Sequence, residues 1–185
     1  MLRTAPRPLT HYDYREMPEG PPYYQLIEGE LCMSPSPNRA HQRILTNIFA
    51  AISWHVAKTR AGEIYVAPFD VFLTDLNVYQ PDLVFISKER KSILTDQGAE
   101  GAPDLVVEIL SPRSAKLDRG VKRDIYARTG VQELWIVDPD HQQVEVFNLP
   151  ENADTPLATY TRRQKLRSRI LAKFSMPVAQ IFNYD

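Results

Sequence analysis

Two nearly unbroken apolar runs, "DLVVEIL" at 104–110 and "ELWIVD" at 133–138, flank a segment with helical spacing. Strands that are apolar at consecutive positions, not at every second one, are buried on both faces. "QPDLVFIS" at 80–87 is a third run of this kind. The pattern predicts a central mixed β-sheet covered on both faces by helices, an α/β (α+β) architecture. The 185 residues suit one domain with one core, residues 1–22 forming an N-terminal arm.

Local signals fill in the rest. Thr10 caps a short helix to about Met17, which "EGPP" at 19–22 ends. "YYQLIEGELCMSP" predicts two short strands with a turn near Gly29. Ser36 as N-cap and Pro37 as first helical residue open a long helix. Along it Ile44, Leu45, Ile48, Phe49, Ile52 and Val56 keep helical spacing, and Gly62 follows its end. "EIYVAPFDVFLT" reads as one strand interrupted at Pro68, or as two. Strands follow at about 82–86 and 104–110, separated by a charged, mobile loop with Gly98 and Gly101. A second helix runs from Ser114 to Thr129, closed by Gly130. "ELWIVD" and "VEVFNL" form a hairpin, "LATYTRRQ" and "RSRILA" another, and "PVAQIFN" a short final helix.

One glutamate interrupts the apolar pattern. Burying Glu108 ionised costs several kcal/mol unless something compensates it. Asp104 shares its strand face but lies four residues, about 13 Å, away. Asp82 heads a neighbouring run, and adjacent strands are ~4.8 Å apart. Asp82 and Glu108 can therefore share a cation, since two carboxylates and several waters make a usual magnesium site. Plainer readings stand beside this one: Asp82 caps a turn after Pro81, and Glu108 pairs with an arginine.

On a helical wheel Leu117, Val121 and Ile125 form an apolar stripe, Asp118 and Lys122 flank it, and Lys116 points away. Lys122 can thus reach the sheet margin, or pair with Asp118 on the surface. His41 projects onto the inner face of the long helix, as a hydrogen-bonded core residue or as part of a site. Glu28 is a third carboxylate or a charge at a hairpin end.

The excluded classes are broad. The longest apolar stretch, "IFAAI", falls far short of the ~20 residues that span a membrane. No apolar h-region precedes the first helix, so no secretory signal is read. The single cysteine, Cys32, excludes an internal disulfide and a polycysteine zinc site, and suits a reducing cytoplasm. The net charge of −1 means that nucleic-acid affinity must come from local patches.

Taken in order, "YYQLIEGEL", "SPSPNRAHQRI", "QPDLVFIS", "GAPDLVVEILSP" and "KLDRGVKRDIYARTGVQELWIVDP" resemble the PD-(D/E)xK nuclease superfamily, most closely its branch of small restriction-endonuclease-like proteins. The resemblance covers nearly the whole chain. It implies a restriction-endonuclease-like fold and phosphodiester hydrolysis in DNA, with Mg2+ or Mn2+ as cofactor. Asp82 and Glu108 match the metal-binding acids, and Glu28 matches an acidic residue of the N-terminal segment. The superfamily's lysine two residues after the glutamate is replaced by Leu110, and Lys122 on the following helix matches the displaced catalytic lysine. His41, Asp118 and Tyr126 are expected to line the site. Arg113, Arg119 and Arg123 are candidates for gripping phosphates, or a solvated charged face. Cutting both strands of a duplex favours a homodimer. Two other functions remain open: a nucleic-acid-binding protein that kept the fold without efficient catalysis, and a partner-binding domain.

Overall fold

The computed structural model describes residues 7–18, 20–34 and 36–184. It begins with helix α1 (His11–Arg15), strands β1 (Tyr24–Ile27) and β2 (Glu30–Met33), and helix α2 (Arg39–Thr59). Strands β3 (Gly62–Val66), β4 (Val71–Thr74), β5 (Asn77–Tyr79) and β6 (Leu83–Ser87) follow, then a 3-10 turn (Lys88–Ile93). Next come β7 (Leu94–Thr95), β8 (Gly98–Glu100) and β9 (Leu105–Ile109), then α3 (Ala115–Leu117), a π-helical turn (Asp118–Lys122) and α4 (Arg123–Thr129). The chain closes with β10 (Glu133–Asp138), β11 (Gln143–Asn148), β12 (Ala158–Thr161), β13 (Lys165–Arg167), β14 (Ser175–Pro177) and α5 (Val178–Ile181).

The apolar runs pair as the central sheet, in the order β12-β11-β10-β9-β6-β3. β9 and β10 are parallel, with α3 and α4 on the crossover between them, and the other pairs are antiparallel. Successive residues feed opposite faces. Phe85, Val107 and Trp135 pack under Ile44, Ile48 and Ile52 of α2. Val84, Val106 and Ile136 pack against Ile125 and Tyr126 of α4 and against Tyr79. Two-sided cover is why these strands carry no polar alternation.

Several local expectations need correction. The N-cap of α2 is Asn38, not Ser36: its side-chain oxygen accepts from His41 N at 2.9 Å. The left-handed residue ending that helix is Arg60, at φ 54°. Gly62 belongs to β3, where a Cβ would lie 2.1 Å from the Ile86 carbonyl oxygen. The expected mobile loop is a hairpin, β7–β8, in a second sheet ordered β2-β1-β5-β4-β8-β7. Gly98 there serves close approach, since a Cβ would meet the Asp70 carbonyl oxygen at 2.1 Å. Residues 63–74 split between the two sheets. β12 joins the central sheet through β11, and β13 pairs with β14 instead of forming the expected hairpin with β12. The helix expected over 114–129 is broken by a kink at Gly120. Among the described residues no helix is long and apolar enough to cross a membrane.

Candidate active site

The site forms where β6 begins, β9 ends and the helical crossover departs. The β6–β9 ladder pairs Leu83 with Val107. Asp82 and Glu108 lie one step beyond that pair, and Ile109 N donates to Asp82 Oδ2 at 2.7 Å. The other Asp82 oxygen, Oδ1, lies 3.2 Å from His41 Nε2. His41 enters from the first turn of α2, which its own backbone N–H helps to cap. Burial alone lowers the pKa of His41, but the hydrogen bond and charge of Asp82 outweigh it and leave the imidazole more basic than usual. Its Nδ1 is enclosed and has no hydrogen-bond partner among the described residues.

Glu108 faces the other layer with Val106 and Leu110. It is 3% exposed, and so is Lys122. Lys122 Nζ lies 2.5 Å from Glu108 Oε1 and donates to Asp118 Oδ1 at 3.1 Å. Tyr126 OH donates to the same Oε1 at 2.6 Å. Burial pushes the Glu108 carboxyl above its ordinary value, and the charges of Asp118 and Asp82 add to that against the pull of Lys122. Burial opposes the Lys122 charge as well, but Glu108 and Asp118 hold the ammonium above the usual lysine range. Two carboxylates around one ammonium explain how the Lys122 charge survives burial, while for Glu108 the lost water outweighs the attraction of the ammonium.

A second layer supports these groups. The Tyr126 ring meets Tyr79 edge-on, with centroids 5.5 Å apart, and Lys122 Nζ lies 5.7 Å from the Tyr79 ring centroid. Tyr79 OH donates to Asn77 Oδ1 at 2.7 Å. Sequence reasoning missed Tyr79 and Asn77. Their signal was faint: two polar-tipped residues in the short run "NVY" just before "QPD".

The structure thus brings together Asp82, Glu108, Lys122, His41, Asp118 and Tyr126. The Asp118–Lys122 pair exists, but buried, not on the surface, while Lys116 is exposed. Glu28 meets the supporting layer of this cluster, through Asn77 and through its charge on Tyr79. It is exposed on the β1–β2 turn at φ 50°, and its contacts go to Asn77. Arg119 already bridges Asp138 and Glu145, and Arg123 bridges Asp124 and Asp154. Arg113 is exposed, and among the described residues no carboxylate pairs with it.

A family model described as "Uma2: Putative restriction endonuclease" matches residues 12–179. The chain belongs to the Uma2 family. The expected kinship with small restriction-endonuclease-like proteins therefore holds. An uncharacterised protein of Synechocystis sp. is 26% identical over 125 residues, covering 66% of this chain and 70% of that one. A crystal structure described as "a putative nuclease belonging to DUF820", from Anabaena variabilis, superposes with a TM-score of 0.79 at 20% identity. That match covers 96% of this chain and 99% of the other. The fold is restriction-endonuclease-like. Leu110, two residues after Glu108, is 9% exposed and packed with Val106 and Ile136. The ammonium beside the glutamate comes instead from the turn that opens α4.

Proposed function

We propose that this protein is a metal-dependent nuclease that hydrolyses phosphodiester bonds in DNA, with Asp82 and Glu108 holding Mg2+ or Mn2+ and Lys122 assisting the reaction. One observation carries the reading: a lysine from the following helix is buried against the glutamate that neighbours Asp82 across two strands.

The residues suit a hard divalent cation. His41 meets Asp82, and Lys122 meets Glu108 and Asp118; burial and the neighbouring carboxylate charges disfavour the Glu108 anion, a strain that a bound cation would relieve. Among the described residues the Lys122 and Tyr126 contacts of Glu108 both fall on Oε1, which leaves Oε2 for a ligand. Among the described residues no three His, Cys, Asp or Glu side chains form a ready-made cage. Magnesium suits such a site, because it keeps several waters and is commonly held by one or two carboxylates plus substrate phosphate. When bound, the cation would neutralise charge on the phosphate and make a water more acidic.

The chain's own groups divide the remaining work. His41 and the Ile109 N–H hold Asp82 in place. Tyr126 fixes the Glu108 carboxylate by donating to Oε1. Lys122 places a positive charge where an attacking water or the phosphate oxygens would stand, a contact worth most in the transition state. Glu28, on the exposed turn, would act only on substrate reaching that side. Of the three candidate arginines, Arg113 is the one without an ion-pair partner among the described residues, which suits it to the phosphate backbone.

A second reading has one observation behind it. Lys122 is committed to two carboxylates, which suits a nucleic-acid-binding protein with weak catalysis. A cleavage assay on single- and double-stranded DNA with Mg2+ or Mn2+ separates the two. Cleavage by the parent that disappears in Asp82→Ala supports the nuclease. No cleavage with either metal, alongside retained DNA binding, supports the second reading.

A further inference from the structure

A cavity of about 490 Å³ opens between the N-terminal arm, the β3–β4 connection and the β7–β8 hairpin, with Gln80 in its wall. Its volume falls in the range of small-molecule sites. Its lining is unusually aromatic. Tyr65 and Phe69 stack at 4.4 Å with ring planes 9° apart, and Tyr14 and Tyr23 line it too. Tyr23 is 41% exposed, so part of this aromatic surface meets solvent.

A polar pair sits among the rings. Asp70 Oδ1 accepts from Gln80 Nε2 at 2.8 Å and from Tyr14 OH at 3.0 Å. Both bonds fall on Oδ1, which among the described residues leaves Asp70 Oδ2 and Gln80 Oε1 as acceptors in a cleft lined by aromatic rings and polar side chains. Flat apolar faces beside a few fixed acceptors match an unpaired nucleobase, which offers a π-face and a polar edge. The position matches as well. Gln80 is two residues before Asp82, about 7 Å of extended chain, within reach of a nucleotide next to one held at the carboxylates.

We propose that this cleft takes an unpaired base of the nucleic-acid strand whose phosphate lies at Asp82 and Glu108, making single-stranded or locally opened nucleic acid the preferred substrate. The inference rests on the nuclease reading for its geometry, but its test does not depend on cleavage.

The test is fluorescence anisotropy in EDTA with three labelled probes: a short single-stranded DNA, an abasic strand of equal length, and the corresponding duplex. The abasic strand keeps the phosphates and removes only the bases. The parent should bind the base-bearing strand about five- to a hundred-fold more tightly than the abasic one, and more tightly than the duplex. Phe69→Leu keeps the apolar bulk and removes the π-face, while Tyr23→Ala alters a partly exposed side chain with little risk to folding. Both should lose most of the preference, and Lys116→Ala, at an exposed position outside the site, should keep it. Equal binding of the two single strands by the parent overturns the proposal, as does an undiminished preference in both cleft variants. Cleavage by a parent without base preference sinks the cleft and leaves the nuclease standing. Base preference without cleavage under any metal does the reverse.

Discussion

Lys122 and Arg119 sit three residues apart on one helical crossover, and each faces two carboxylates. Lys122 meets Glu108 and Asp118 with side chains 3–4% exposed. Arg119 meets Glu145 and Asp138 with its own side chain 38% exposed. The chemistry is nearly the same, but the solvent differs. Around Lys122, burial pushes the Glu108 and Tyr126 pKa values up, and the cation cannot be replaced by water. Around Arg119, water shares the charge. Asp138 also feels burial, but hydrogen bonds from His141 hold it slightly below the usual carboxylate value. The difference teaches that ion pairs along one segment carry unequal information, and that the buried one marks the candidate site.

The sharpest way to break this comparison is Lys122→Met. It leaves Glu108 and Asp118 facing each other without a cation, and should cost about 3–5 kcal/mol of stability at neutral pH. The deficit should shrink in acid as Glu108 protonates. Urea unfolding at two pH values checks it, and a loss below ~1 kcal/mol would contradict the buried-cluster account. Under the nuclease reading, cleavage by the folded variant should also drop about a hundred- to a thousand-fold.

Tyr126→Phe removes one donor to a buried carboxylate and should cost about 1.5–3 kcal/mol. The denaturation midpoint measures this, and an unchanged value would mean that another donor replaces the hydroxyl.

Glu108→Gln tests the burial effect through pH. The folded-state pKa of Glu108 lies above its unfolded value, so between the two the folded chain binds more protons than the unfolded one. Stability from this group is full below the unfolded value and falls as pH rises through the folded one. Above the usual carboxylate range the parent should therefore lose stability with rising pH, by at most about 1.4 kcal/mol per pH unit. The variant should show a flatter profile in the same titration.

Arg119→Met should matter least, by about 0–1 kcal/mol, and the loss should fade with added salt. A cost equal to that of Lys122→Met would erase the distinction between the two clusters.

Much of this site was legible one residue at a time. Glu108 stood out because a carboxylate in an unbroken apolar strand requires a partner. Asp82 stood out because it heads the neighbouring run. The wheel put Lys122 towards the sheet and Lys116 away from it, although the kink at Gly120 interrupts the regular helix that the wheel assumes. Glu28 carried no local sign that its side chain would turn to Asn77. Arg119 and Arg123 looked like free cations because Asp138, Glu145 and Asp154 are distant in sequence or on other elements.

By itself the sequence determined the central strands, the amphipathic face of α2 and the need of Glu108 for a partner, because periodicity and burial act over a few residues. Only the tertiary structure decided that β7 and β8 complete a second sheet, that Asn38 and not Ser36 caps α2, and that Glu108 and Asp118 share one buried ammonium. It also decided that Tyr65, Phe69, Asp70 and Gln80 line one cleft. These outcomes depend on which segments approach across the fold, and solvent exclusion, which sets the strength of a charge pair, is a property of all the neighbours together.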